Sequence, residues 1–201
     1  MRMKKLCLCV AATLAMVSCI PVDDFGTYWD KGVVDPALEG TWKNIGLPGS
    51  SPEERLGARE LRFTRTGSFY SMHMVGIDPS MAPEVLERVR RRNARAGSAR
   101  TLRLGKRKLL MKRNGEAPYD GVITSYEIRG RTLSEYWFQG DAAVEALEAR
   151  HPGAKNIHKN DGEGDFVVIG TFDDEVFRIL SEIADDSDYW ILTARYEKAS
   201  N

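Results

Sequence analysis

Cys19 is the side chain of this sequence best placed to do chemistry. It follows an apolar run over residues 6–17 and the small Ser18, and that run follows the cationic start Met1-Arg2-Met3-Lys4-Lys5. A charged start, an apolar stretch and a small residue at the cut mark a secretory signal peptide, and twelve apolar residues are too few to span a bilayer, which takes about 20. Removing residues 1–18 takes Cys7 and Cys9 away. Cys19 is then the sole thiol of 183 residues, and an exported domain must hold together by packing without a disulfide.

The other reactive residue types gather into no site. His73 alternates with apolar residues and reads as a half-buried strand residue, while His151 and His158 flank Pro152-Gly153 in loops without the third ligand or the spacing of a zinc site. No serine sits in a nucleophile elbow, and no glycine-rich phosphate loop is present. Residues 160–165 lack the ligand spacing and the closing Glu of a calcium loop, and Asp185-Asp186-Ser187-Asp188 has no companion ligands. Both read as turn chemistry. The expectation is a protein that is not an enzyme, with no catalytic residue, no metal and no cofactor.

Met16-Val17-Ser18-Cys19 resembles the lipobox of bacterial lipoproteins. The resemblance implies cleavage before Cys19, a diacylglycerol on its sulfur, and attachment to the membrane through that lipid. The next residue is Ile20, not the Asp that tends to hold Gram-negative lipoproteins in the inner membrane. For a Gram-negative host the resemblance therefore implies the outer membrane.

Charge is the second informative feature. The mature chain carries 26 basic and 29 acidic residues, a net of −3, but residues 88–113 hold nine Arg and three Lys with no acid. Such a run is ordinarily a solvated face neutralised by acids elsewhere in the domain. The sharper reading is an anion-binding face. A helix over 82–96 would place Arg88, Arg91, Arg92 and Arg95 near one side, to meet anionic lipid, lipopolysaccharide or an acidic envelope partner. No nucleic acid is expected as a partner of an exported, lipid-anchored chain.

The elements that must position these groups follow from period and punctuation. Pro21, Gly26, Gly32 and Pro36 interrupt residues 20–38, which read as a tether (19–38) whose Phe25, Tyr28 and Trp29 dock on the domain. A single domain is expected over 39–201. Gly40-Thr41-Trp42 opens its first strand. Residues 60–63 and 68–75 form a hairpin about Thr66-Gly67, with Tyr70, Met72 and Met74 on one face. Ser80 caps a helix with Ala82, Val85, Leu86 and Val89 inward. Residues 100–112 read as one strand with a bulge at Gly105. Val122, Thr124, Tyr126 and Ile128 alternate in the next, and Leu133, Glu135 and Trp137 in the one after.

Asp141 starts a short helix with Ala143, Val144 and Leu147 inward. Thr171 and Asp174 resemble a capping box ahead of the stripe Phe172, Val176, Ile179, Leu180 and Ile183. Trp190, Leu192, Ala194 and Tyr196 share one face of the closing strand.

Neighbouring hairpins with three helices predict an α+β fold, an antiparallel and strongly bent meander sheet or open barrel. Gly40-Thr41-Trp42 resembles the Gly-x-Trp opening of lipocalins and lipocalin-like lipoproteins, and the resemblance implies a carrier of a small apolar ligand. The helix inserted after Ser80 departs from that pattern and argues against a closed eight-stranded ligand cup. The leading expectation is a lipid-anchored envelope lipoprotein acting as a non-enzymatic binding or structural module, with the lipocalin-like carrier as the alternative.

Overall fold

The computed structural model describes residues 20–49, 59–75, 97–113, 120–138, 147, 149–154, 157–159 and 167–200. The strands are β1 (Ile20–Asp24), β2 (Gly40–Asn44), β3 (Glu60–Thr66), β4 (Phe69–Val75), β5 (Gly97–Leu104), β6 (Arg107–Arg113), β7 (Gly121–Arg129), β8 (Thr132–Phe138), β9 (Ile157–Lys159), β10 (Val167–Thr171) and β11 (Trp190–Lys198). A one-turn helix α1 (Tyr28–Lys31) follows β1, and α2 (Asp174–Ile183) precedes β11.

Eight strands close a ring. β2 to β8 pair in chain order, β11 bridges β8 and β2, and every one of these pairings is antiparallel. The fold is therefore a closed, mostly β meander barrel, and neither the expected α+β class nor the open barrel holds. Among the described residues α2 is the one helix of more than four residues. The helix expected after Ser80 lies outside the described residues, as does most of the one expected after Asp141. From that second segment, Leu147 is buried in the core.

Two-residue turns set the hairpin registers. Thr66 pairs Phe69, Leu104 pairs Arg107 and Arg129 pairs Thr132. The first turn residue in each is glycine at positive φ: Gly67 at 62°, Gly105 at 59° and Gly130 at 58°. Tight hairpin turns demand that backbone and glycine supplies it without a Cβ penalty. Gly105 thus ends a strand where a bulge in one long strand was expected. The three turns mark one end of the barrel, the turn end, and the longer connections leave from the other.

Alternation divides the apolar residues into two cores. Trp42, Leu61, Phe63, Tyr70, Met72, Ala99, Leu110, Tyr126, Leu133, Ala194 and Tyr196 point into the barrel. Leu104, Leu109, Met111, Ile123, Phe138 and Trp190 point outward under the stripe of α2. The expected face of β11 is split by a bulge between Leu192 and Ala194. The extra residue reverses the alternation, so that one strand feeds the outer core with Trp190 and the inner core with Ala194 and Tyr196.

Residues 20–38, expected as a tether, are part of the domain. β1 pairs antiparallel with β7 through Ile20↔Ile123 and parallel with β10, extending the sheet beyond the ring. Ile20, Val22, Phe25, Tyr28 and Trp29 are buried in the outer core. Leu38, at the end of a 3-10 turn (Pro36–Leu38), is buried in the inner one. Burying side chains of this size contributes about 1.5–3 kcal/mol each, enough to hold the segment down despite its Pro and Gly residues.

The helix stripe packs as expected, but the cap sits two residues later. Asp173, in extended backbone, accepts the Val176 N–H at 2.9 Å, while Thr171 ends β10. Leu180→Ala should cost about 2–5 kcal/mol as a large-to-small core change. Asp186→Ala removes only an exposed cap on the Asp188 N–H and should cost about 1 kcal/mol or less. Urea melts that gave both variants the same small shift would contradict this packing.

Candidate functional site

Cys19 and the face formed by Arg88, Arg91, Arg92 and Arg95 lie outside the described residues. Arg90 lies outside them too, and the remaining seven of the twelve cations are placed, on β5, β6 and the turn between them. Alternation on β6 sends Lys108 and Lys112 into the barrel. On the outside, Arg100 and Arg113 lie over the Trp29 ring at 5.4 and 4.4 Å from its centroid. Arg100 donates from Nη1 to the Trp29 carbonyl at 2.8 Å and sits 3.4 Å from Asp30, while Arg113 pairs Asp120 at 2.8 Å. Cation–aromatic contacts of this kind contribute about 0.5–2 kcal/mol, more as they lose water.

The turn end of the barrel is closed by the chain just before β2. Asp35 accepts from Lys108 Nζ at 2.6 Å, from the Tyr126 hydroxyl at 2.8 Å and from the Ala37 N–H at 3.1 Å. The Tyr70 hydroxyl donates to the Asp35 carbonyl at 2.8 Å. Burial pushes the Asp35 carboxyl up, but these three donors outweigh it and hold it below the usual carboxylate range. Burial first, and then the Asp35 carboxylate, push the Tyr126 hydroxyl well above its ordinary value, so it remains a donor. Below this plug Trp42 donates from Nε1 to the Leu38 carbonyl at 2.7 Å, and Lys198 lies 5.2 Å from the centre of its ring.

Toward the opposite end, Lys112 on β6 and Glu135 on β8 form an ion pair inside the barrel. Their side chains are 14% and 8% exposed. Four of the seven described cations thus meet acids of the same domain: Asp30, Asp35, Asp120 and Glu135. Arg107 instead donates to the Ala184 carbonyl and lies over the rings of Tyr136 and Trp190. For these four cations the neutralised-in-cis reading is the observed one. Asp30 and Asp35 belong to the stretch read as a tether. The legible signal was their charge, set against twelve cations without an acid.

A groove of about 490 Å³ opens at the turn end, lined in part by Lys106, Arg107, Lys108, Glu127, Arg129 and Tyr136. Its lining mixes these charged groups with Tyr126 and Ile128. Inside the barrel, the described positions are filled by Trp42, Phe63, Tyr70, Tyr126 and Tyr196.

The histidines occupy separate places. His73 is exposed on the outer wall of β4, not half-buried, 3.3 Å from the Ser71 hydroxyl. His151 Nε2 is 2.8 Å from Glu182, whose carboxyl it holds below the usual range. His158 lies in β9 opposite Val168 rather than in a loop. Asp185 accepts the Lys106 N–H at 2.7 Å, and Asp186 caps a 3-10 turn, so this acidic run does turn chemistry. Among the described residues no group of three or more His, Cys, Asp or Glu is placed to hold a metal ion, and no helix is long and apolar enough to cross a membrane. Comparison with family models, curated proteins and solved structures finds no match.

Proposed function

We propose that this chain is an exported bacterial lipoprotein, held at the outer membrane by acyl chains on Cys19, whose barrel is a non-enzymatic binding or structural module. The signal peptide and lipobox support the anchor. The observation that carries the module reading is the filled barrel axis. Trp42, Phe63, Tyr70, Tyr126, Tyr196 and the Lys112–Glu135 pair occupy the space a ligand cup would need. Binding then falls to the outer surface and the loops.

Cys19→Ser should abolish lipidation and release the domain as a soluble exported protein. Acyl chains contribute about 0.8 kcal/mol per buried methylene, and anchoring by more than one chain is stable. Metabolic lipid labelling with fractionation checks this. An unlabelled Cys19→Ser protein that stayed in the membrane would show that Cys19 is not the anchor.

Anionic lipid or an acidic envelope partner is the proposed counterpart of the basic segment, through Arg88, Arg91, Arg92 and Arg95. Changing these four to Gln in the lipid-free domain should weaken its binding to anionic vesicles. Salt should do the same to the wild type, because the screening length falls from about 10 Å at 0.1 M to about 3 Å at 1 M. Equal, salt-independent binding by both proteins would return this face to plain solvation.

The closed eight-stranded meander, with Gly40-Thr41-Trp42 in its first strand, favours a second reading: a lipocalin-like carrier of a small apolar ligand. Titration of the domain with an apolar fluorophore separates the two. Saturable one-to-one binding, lost on Tyr196→Arg, supports the carrier, and absence of saturable binding supports the filled barrel.

A further inference from the structure

We infer that the barrel is mounted on the membrane without a tether, the side that carries β1 and its α2 cover toward the lipid headgroups and its β3–β4 wall turned away. The inference rests on the proposed lipid at Cys19. Its own basis is where the fold begins. Ile20, one residue on, is already paired with Ile123 of β7 and is 2% exposed. One peptide unit spans only about 3.8 Å between Cα atoms.

Slack cannot be drawn from the residues that follow. Freeing β1 and α1 would expose Ile20, Val22, Phe25, Tyr28 and Trp29 together and strip Trp29 from between Arg100 and Arg113. It would also break the pairing of β1 with β10 as well as with β7. β1 is itself graded in polarity. Ile20, Pro21 and Val22 are buried at the end joined to Cys19, and Asp23 and Asp24 are exposed at the other. Its acids therefore lie away from the attachment point, where anionic headgroups would oppose them.

Order around the ring then fixes what faces outward. Four steps separate β7 from β3 in either direction, so β3 is the opposite wall. Eight strands about 4.8 Å apart and tilted by about 40° make a backbone cylinder roughly 16 Å across. Exposed residues of that far wall, among them Arg62, Thr64 and Thr66 on β3 and His73 and Val75 on β4, are the surface offered to a partner standing off the membrane.

Energy transfer to a lipid-borne acceptor tests this on the full lipidated chain in vesicles. The mature chain has no cysteine besides Cys19, so a single added thiol takes the donor dye. The donor goes at Asp23→Cys on the near wall or at Thr64→Cys on the far wall. A second pair of proteins carries twelve Gly/Ser residues between Cys19 and Ile20, a flexible spacer with an r.m.s. reach of about 19 Å. Transfer should be roughly twofold stronger at 23 than at 64 in the native chain, given the barrel width. The spacer should lower it at 23 and remove the difference.

Equal transfer from both positions in a chain that mass analysis shows to be lipidated would overturn the tetherless mounting alone. So would indifference to the spacer. Absence of lipid on Cys19 would overturn the anchor and this inference with it.

Discussion

Lys112→Met should destabilise the domain by about 3–5 kcal/mol, because it leaves the Glu135 carboxylate uncompensated inside the barrel. Both side chains are largely removed from water and meet inside the barrel from β6 and β8, the two strands that flank β7. The attraction between them offsets the cost of drying two charges, and loss of one partner leaves that cost standing. Removing both charges should restore stability: Lys112→Met with Glu135→Leu is expected within about 1–2 kcal/mol of wild type, since apolar packing commonly replaces a buried pair at little cost. Urea unfolding of the two single variants and the double gives the coupling directly. Additive single effects would mean that the two groups do not depend on each other. Glu135 alternates with Leu133 and Trp137, so its inward position was legible in the sequence, and its partner was not.

Gly121→Ala should cost about 3 kcal/mol or more, a large effect for one methyl group. At this position β7 is paired with β6 on one edge and β1 on the other. A Cβ there would stand 1.9 Å from the Lys112 carbonyl oxygen and 2.8 Å from Cε2 of Phe25. The first of these is backbone within a ladder and cannot turn aside, so β6, β7 or β1 must move. Gly130→Ala is the control. Its Cβ would meet open space, and only the positive φ of 58° opposes it, at about 1–2 kcal/mol. Thermal melts should therefore place Gly121→Ala well below Gly130→Ala. The reverse order would mean that β7 is not held at Gly121 between β6 and β1.

The sequence by itself determined the β3–β4 and β7–β8 hairpins and the alternating faces of β4, β7 and β8. It also determined the stripe of α2. These are local properties: apolar period, turn residues and charge order act within a few residues of one another. What the tertiary structure decided is everything that depends on two distant segments meeting. Closure of the ring is made by β11 meeting β2, and by β6 meeting β7 with both edges used, and no periodicity reports a pairing partner. The bulge at residue 193 turned one expected face of β11 into two, because one inserted residue reverses a period of two. Residues 20–38 read as linker from their Pro, Gly and Asp content. They became part of the domain because Asp30, Asp35 and Trp29 find the cations of β5 and β6 about 70 residues away. The basic segment showed its charge in the sequence. Half of its meaning, an internal counter-charge to those acids, required the fold, since Coulombic pairing depends on distance in space and not along the chain.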